Sequence, residues 1–120
     1  MIDGKILKFG YGDIAIGAVG FYMELTPFKP PIEVGSECNG YFADGIIKPI
    51  GPAIMIKFEG LSDITEFRTK LESVCPIDAP KSFEFKGYTF DFSNYNVKSV
   101  MVAETILHNI RMNYLRCAAC

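Results

Sequence analysis

The chain has no tryptophan, a single histidine and, in 120 residues, no apolar run of the ~18 residues that a membrane-spanning helix needs. The missing run excludes an α-helical span. The missing imidazoles leave His108 as the one side chain whose ordinary pKa lies near neutrality. Excess charge is scarce too: 14 acids against 12 bases give a net −2. Phosphate binding wants a basic face, so nucleic acid is excluded as the main partner. The opening MIDGKILKF sets Asp3, Lys5 and Lys8 where the apolar stretch of a secretory signal would lie. No signal peptide is read, and a cytoplasmic protein with no membrane association is expected.

The four cysteines, Cys38, Cys75, Cys117 and Cys120, are accordingly read as reduced thiols. Cys117-Ala-Ala-Cys120 has the C-x-x-C spacing of redox and zinc sites. Redox pairs sit at a helix N-terminus, where the dipole lowers a thiol pKa; this pair follows a helical pattern, where the dipole raises it. A zinc site needs two more ligands. His108 lies nearly half a helical revolution from Cys117, so the two cannot share an ion on one helix face. No metal and no cofactor are expected.

What the chain does have is 49% hydrophobic residues, ten Phe and six Tyr, which predict an aromatic core with much sheet. A chain of this length buries roughly two-thirds of its unfolded surface and needs no staple, so residues 1–120 are expected to form a single domain. Residues 2–9 read as a first strand. Within KFGYGDIAIGAVGFY, residues 10–15 spell G-x-G-x-x-A, a variant of the dinucleotide fingerprint. That motif requires a helix to open inside it. Here Gly12, Gly17 and Gly20 fall within nine residues, and each glycine costs a helix about 1 kcal/mol relative to alanine. A strand over residues 13–25 accounts for the segment better. Ile14 and Ile16, then Val19, Phe21, Met23 and Leu25, alternate in two sets one residue out of phase, which suggests a β-bulge at Gly17-Ala18. Gly10 to Asp13 then form a turn between antiparallel strands.

Residues 26–52 hold five of the seven prolines and predict a long loop or short edge strands. A strand follows over residues 53–59, with Ile54, Ile56 and Phe58 inward. Ser62 or Asp63 is placed as the cap of a helix with an Ile64, Phe67, Leu71, Val74 stripe, which Pro76 ends. SFEFKGYTFDFS alternates Phe83 and Phe85, then Tyr88, Phe90 and Phe92, about Lys86-Gly87, and reads as a hairpin. Asn94 or Asn96 starts a last helix to about Leu115 with Val100, Ala103, Leu107, Ile110 and Tyr114 buried. The sum is an α+β fold: a mostly antiparallel sheet of about five strands with two helices packed on one face.

The chemistry-bearing residues form no catalytic constellation. His108 lies four residues after Glu104 on a helix, without a nucleophile elbow, phosphate loop or ligand cluster to work with. The hairpin aromatics offer stacking faces, but Lys81 and Lys86 are offset by Glu84 and Asp91, so core packing accounts for them. Residues 1–66 carry nine acids and five bases, and residues 67–120 five and seven. Glu33, Glu37 and Asp44 lie beside Phe28, Tyr41 and Phe42 in the proline-rich segment. Aromatic anchors among acids suit a protein interface that steers a basic partner. With Asp13 these six residues make the candidate binding surface.

LKFGYGDIAIG followed by GFYMEL (Leu7 to Leu25) is similar to the first hairpin of some immunity proteins of bacterial polymorphic and contact-dependent growth inhibition toxins. The small, slightly acidic α+β architecture resembles theirs along the whole chain. The resemblance implies a non-enzymatic partner of a cognate toxin domain, often a nuclease, whose active site it blocks. It supplies no site residues. Two other classes fit the same residues. One is a small-molecule-binding or enzymatic domain with a pocket between sheet and helices lined by Asp13, Tyr11 or Glu104. The other is a structural or phage-encoded interaction protein.

Overall fold

The computed structural model describes residues 1–119. In chain order the elements are β1 (Ile2–Asp3), β2 (Ile6–Lys8), β3 (Ile14–Val19), β4 (Tyr22–Lys29), α1 (Cys38–Ala43), β5 (Lys48–Pro49), β6 (Ile54–Lys57), α2 (Leu61–Glu72), β7 (Ser82–Phe85), β8 (Tyr88–Asp91) and α3 (Val97–Ala119). The fold is α+β, but not one sheet of about five strands under two helices. Among the described residues there are two four-stranded sheets and three helices, and the pairing is not purely antiparallel.

The first sheet has the order β1-β2-β8-β7. Residues 2–9 are not one strand: the chain reverses at Gly4-Lys5, with Asp3 opposite Ile6. β2 runs parallel to β8 with Leu7 opposite Phe90, so the second sheet and α2 act as the crossover that a parallel pair requires. β7 and β8 form the expected hairpin, with Phe85 opposite Tyr88. Its two-residue turn puts Lys86 at φ +54° and Gly87 at φ +83°, the positive pair of a turn that matches strand twist.

In the second sheet β3 and β4 form a hairpin with Val19 opposite Tyr22, reversing at Gly20-Phe21. The phase slip expected to be a bulge is this reversal. Ile14, Ile16 and Ala18 share the core face with Met23 and Leu25 because the chain has turned back on itself. Pro27 stands within β4 opposite Ile14. Phe28 N–H donates to the Asp13 carbonyl at 3.0 Å, so alternation along an antiparallel pair leaves position 27 without a bond to make across to β3. The Pro27 carbonyl points the other way and accepts from Ile50 N–H at 3.0 Å. β5 and β6 both pair with that side of β4, as one edge interrupted between Pro49 and Ile54. Residues 26–52 thus contain the end of β4, α1 and β5 rather than loop alone.

The core lies between the two sheets, α2 and α3. Phe67 is its hub, with ring centroids of Phe58, Phe83, Phe85 and Phe90 at 5.1–5.7 Å, mostly edge-on, the geometry aromatic quadrupoles favour. The α2 stripe holds, with Ile64, Phe67, Leu71 and Val74 buried; in α3 Val100, Ala103, Leu107 and Ile110 are buried and Tyr114, expected to be, is half-buried against them. At α2 the cap differs from expectation. Gly60 is the N-cap residue and makes no side-chain cap bond. Asp63, three positions on, reaches back to accept from Glu59 N–H at 2.8 Å. At α3, Asn96 Oδ1 accepts from Lys98 N–H at 2.9 Å, so Asn96 and not Asn94 starts the helix.

Candidate functional site

The G-x-G stretch is a packed corner. Gly10 and Gly12 have φ of +92° and +71°, where a side chain is strained. A Cβ on Gly10 would stand 2.0 Å from the Asn94 carbonyl oxygen, and one on Gly12 1.9 Å from that of Ile32. Asn94 Nδ2 donates to the Gly10 carbonyl at 2.8 Å and Ile32 N–H to the Gly12 carbonyl at 2.9 Å. The next element is β3, not a helix, so no N-terminal amides face a phosphate. Nor is the corner a hairpin turn: it carries the chain from the first sheet to the second.

From this corner an open groove of ≈ 1140 Å³ runs along β3, between the flank of α3 and the segment from Ile32 through α1. Its lining includes the carboxylates of Asp13, Glu24, Glu33 and Glu37 against the ammonium groups of Lys8 and Lys98. Asp13 is paired with the Met1 ammonium group. Glu33 meets Lys98 Nζ at 3.3 Å, both well exposed, and an exposed pair of this kind contributes little. Glu37 accepts a long bond from Asn39 Nδ2 at 3.4 Å. None of the ion pairs among the described residues involves Glu24, which half-emerges from β4. Cys38, at the start of α1, is half-buried; burial first, then the Glu37 charge, pushes its thiol up. That is the opposite of a reactive thiolate.

Of the seven expected surface residues, Asp13, Phe28, Glu33, Glu37 and Phe42 line this groove. Tyr41, on α1, and Asp44, at its C-terminus, are exposed outside it. Phe28 is a correction. It is 2% exposed and packs edge-on against Phe42 with ring centroids at 5.7 Å, so it holds α1 to the sheet and is no surface anchor. Two features were missed. Glu24 shares the outer face of β4 with Thr26, a phase readable once the reversal at Gly20 is placed. Val102 and Ile106 of α3 form the apolar wall, each one residue, about 100° around the helix, from Ala103 and Leu107 of the stripe read as core.

The other candidates lie apart. His108 and Glu104 are exposed on α3. Cys117 is exposed, and Cys120 lies outside the described residues, so the C-x-x-C pair does too. Among the described residues no three His, Cys, Asp or Glu side chains gather as a metal site. No helix among them is long and apolar enough to cross a membrane. Lys86 meets Asp63 at 2.9 Å and Glu59 at 3.5 Å. The Glu59 amide first, then Lys86, holds the Asp63 carboxyl below its ordinary range. Tyr114 donates to the Phe58 carbonyl beside this group, which fixes the α2 N-terminus to α3 and β6. The group is a structural fastening. Compared with known proteins, the chain matches no family model, no curated protein and no solved structure.

Proposed function

We propose that the chain is a non-enzymatic immunity protein that binds a cognate toxin domain, such as a nuclease, and blocks its active site. The observation that supports this reading is the acidic groove of Asp13, Glu24, Glu33 and Glu37 together with the exposed Tyr41 and Asp44 beside it. Carboxylates on β4 (Glu24), before β3 (Asp13), in the loop ahead of α1 (Glu33) and at the two ends of α1 (Glu37, Asp44) attract a basic cleft and orient it, while aromatic and apolar surface supplies the binding energy. Inhibition is by occlusion: the groove rim covers the toxin's cationic residues and excludes their substrate, with no chemical step on this chain.

The test is co-expression with the C-terminal domain encoded by the reading frame immediately upstream. Rescue from that domain's toxicity, with a purified one-to-one complex, is the expected result. A neighbour without toxicity and without a complex sinks the reading. A second reading has one observation in its favour: of Asp13, Tyr11 and Glu104, the residues a small-molecule pocket was expected to use, Tyr11 and Asp13 line the groove, though Glu104 does not. The groove is open and larger than most such sites, which enclose about 300–1,000 Å³. A screen of metabolites by thermal shift that raises the melting temperature would favour it.

A further inference from the structure

β3 pairs with β4 on one side, and among the described residues no strand pairs with its other side. The ladder phase says which backbone groups that leaves. Since Asp13 bonds directly with Phe28, residues 15, 17 and 19 also bond to β4, and Ile14, Ile16 and Ala18 turn their N–H and C=O groups outward into the groove. At one end of this edge Ile32 N–H already occupies the outward carbonyl of Gly12. At the other, Asn113 Nδ2 donates to the Gly20 carbonyl at 2.7 Å. Between them lies about 16 Å of strand. It lacks the devices that blunt exposed edges: IAIGAV contains no charge and no proline.

We infer that the free edge of β3 accepts an extended, basic segment of a partner protein as an added antiparallel or parallel strand, seated against the flank of α3. This deepens the proposed function, on whose protein-binding reading it rests. The added strand's backbone completes the bonds of Ile14, Ile16 and Ala18, and alternate side chains meet Val102 and Ile106. The opposite face explains the preference for charge. Ala15 and Gly17 are small, and a Cβ built on Gly17 meets nothing within 4 Å. Gly17 lies directly opposite Glu24. A lysine or arginine on the added strand, about 10 Å from β4, reaches over Gly17 to that carboxylate, with Glu33 and Glu37 lining the same groove. The carboxylates also disfavour a second copy of this chain as the occupant, since pairing two copies brings like charges together.

The probe is a phage-displayed library of random linear dodecapeptides, selected on the whole protein at low salt, with amide hydrogen exchange followed by NMR. Expected are peptides that alternate apolar and Lys or Arg residues and that slow exchange at Ile14, Ile16 and Ala18, amides that exchange fast in the free protein. Ala18→Pro removes one outward donor and no β3–β4 bond, behind a glycine that tolerates a following proline. It should weaken these peptides about tenfold. Glu24→Lys should weaken them as much and needs no backbone change. Three results would overturn the inference: no enriched peptide, peptides that bind without protecting these three amides, or protection that grows with protein concentration alone through self-pairing. None of these measurements uses the toxin, so loss of the immunity reading and loss of the strand site are separately visible.

Discussion

Phe67 shows how much of the fold rests on single side chains. It is fully buried and touches rings from β7 and β8 and that of Phe58, just past the end of β6. Phe67→Ala should cost about 3–5 kcal/mol, read as a lowered urea midpoint with an unchanged slope. Gly12→Ala is expected to cost at least about 1–2 kcal/mol, because the left-handed backbone and the Ile32 carbonyl both oppose a methyl group. Cys38 should alkylate more slowly than free cysteine at pH 8, since burial and Glu37 both favour the protonated thiol; an equal rate would contradict that environment. The buried phenylalanines of the SFEFKGYTFDFS hairpin and of α2 were legible because each sits in phase with its element. Phe28 was not. It stands in a proline-rich run, between Pro27 and Lys29-Pro30-Pro31, and only the packing of α1 onto β4 reveals that it is covered.

Among elements, α2 carries its own pH sensor. Asp63 is held below the ordinary carboxyl value of 3.8, so its stabilising contribution is present above that value and is lost as pH falls below it and through the lowered one. Asp63→Asn should therefore lower stability at pH 7 by about 1 kcal/mol, the usual worth of a helix N-terminal acceptor, and by much less at pH 3. Urea titrations of both proteins at the two pH values decide it; a constant difference would assign the effect to packing alone. Strand alternation and helical stripes located β6, β7, β8, α2 and α3 from sequence, because a single period runs through each. The β3–β4 hairpin was misread because Gly20-Phe21 lacks the Asn-Gly or Asp-Gly signature, and a reversal and a bulge shift the phase alike.

For the molecule as a whole, the parallel β2–β8 pair and the division into two sheets were out of reach of local pattern, since both depend on contacts across most of the chain. The uneven charge was legible in the sequence, and the groove places part of it: Asp13, Glu24, Glu33 and Glu37 come from three separate stretches. On the proposed immunity reading, Glu37→Lys with Asp44→Lys should reduce affinity for the toxin domain about tenfold or more at low salt and less at 0.5 M, where screening is nearly complete. A salt-independent effect, or none, removes the α1 region from the interface. The second sheet has one further property. On the β4 side it ends in two short pieces parted by Pro49-Ile-Gly-Pro52, while on the β3 side it ends in an uninterrupted strand. Whatever joins β3, even a second copy forced together at high concentration, leaves only this short, proline-broken edge on the far side, a poor template for another strand, so assembly through this sheet is expected to stop at two partners instead of growing into a fibre.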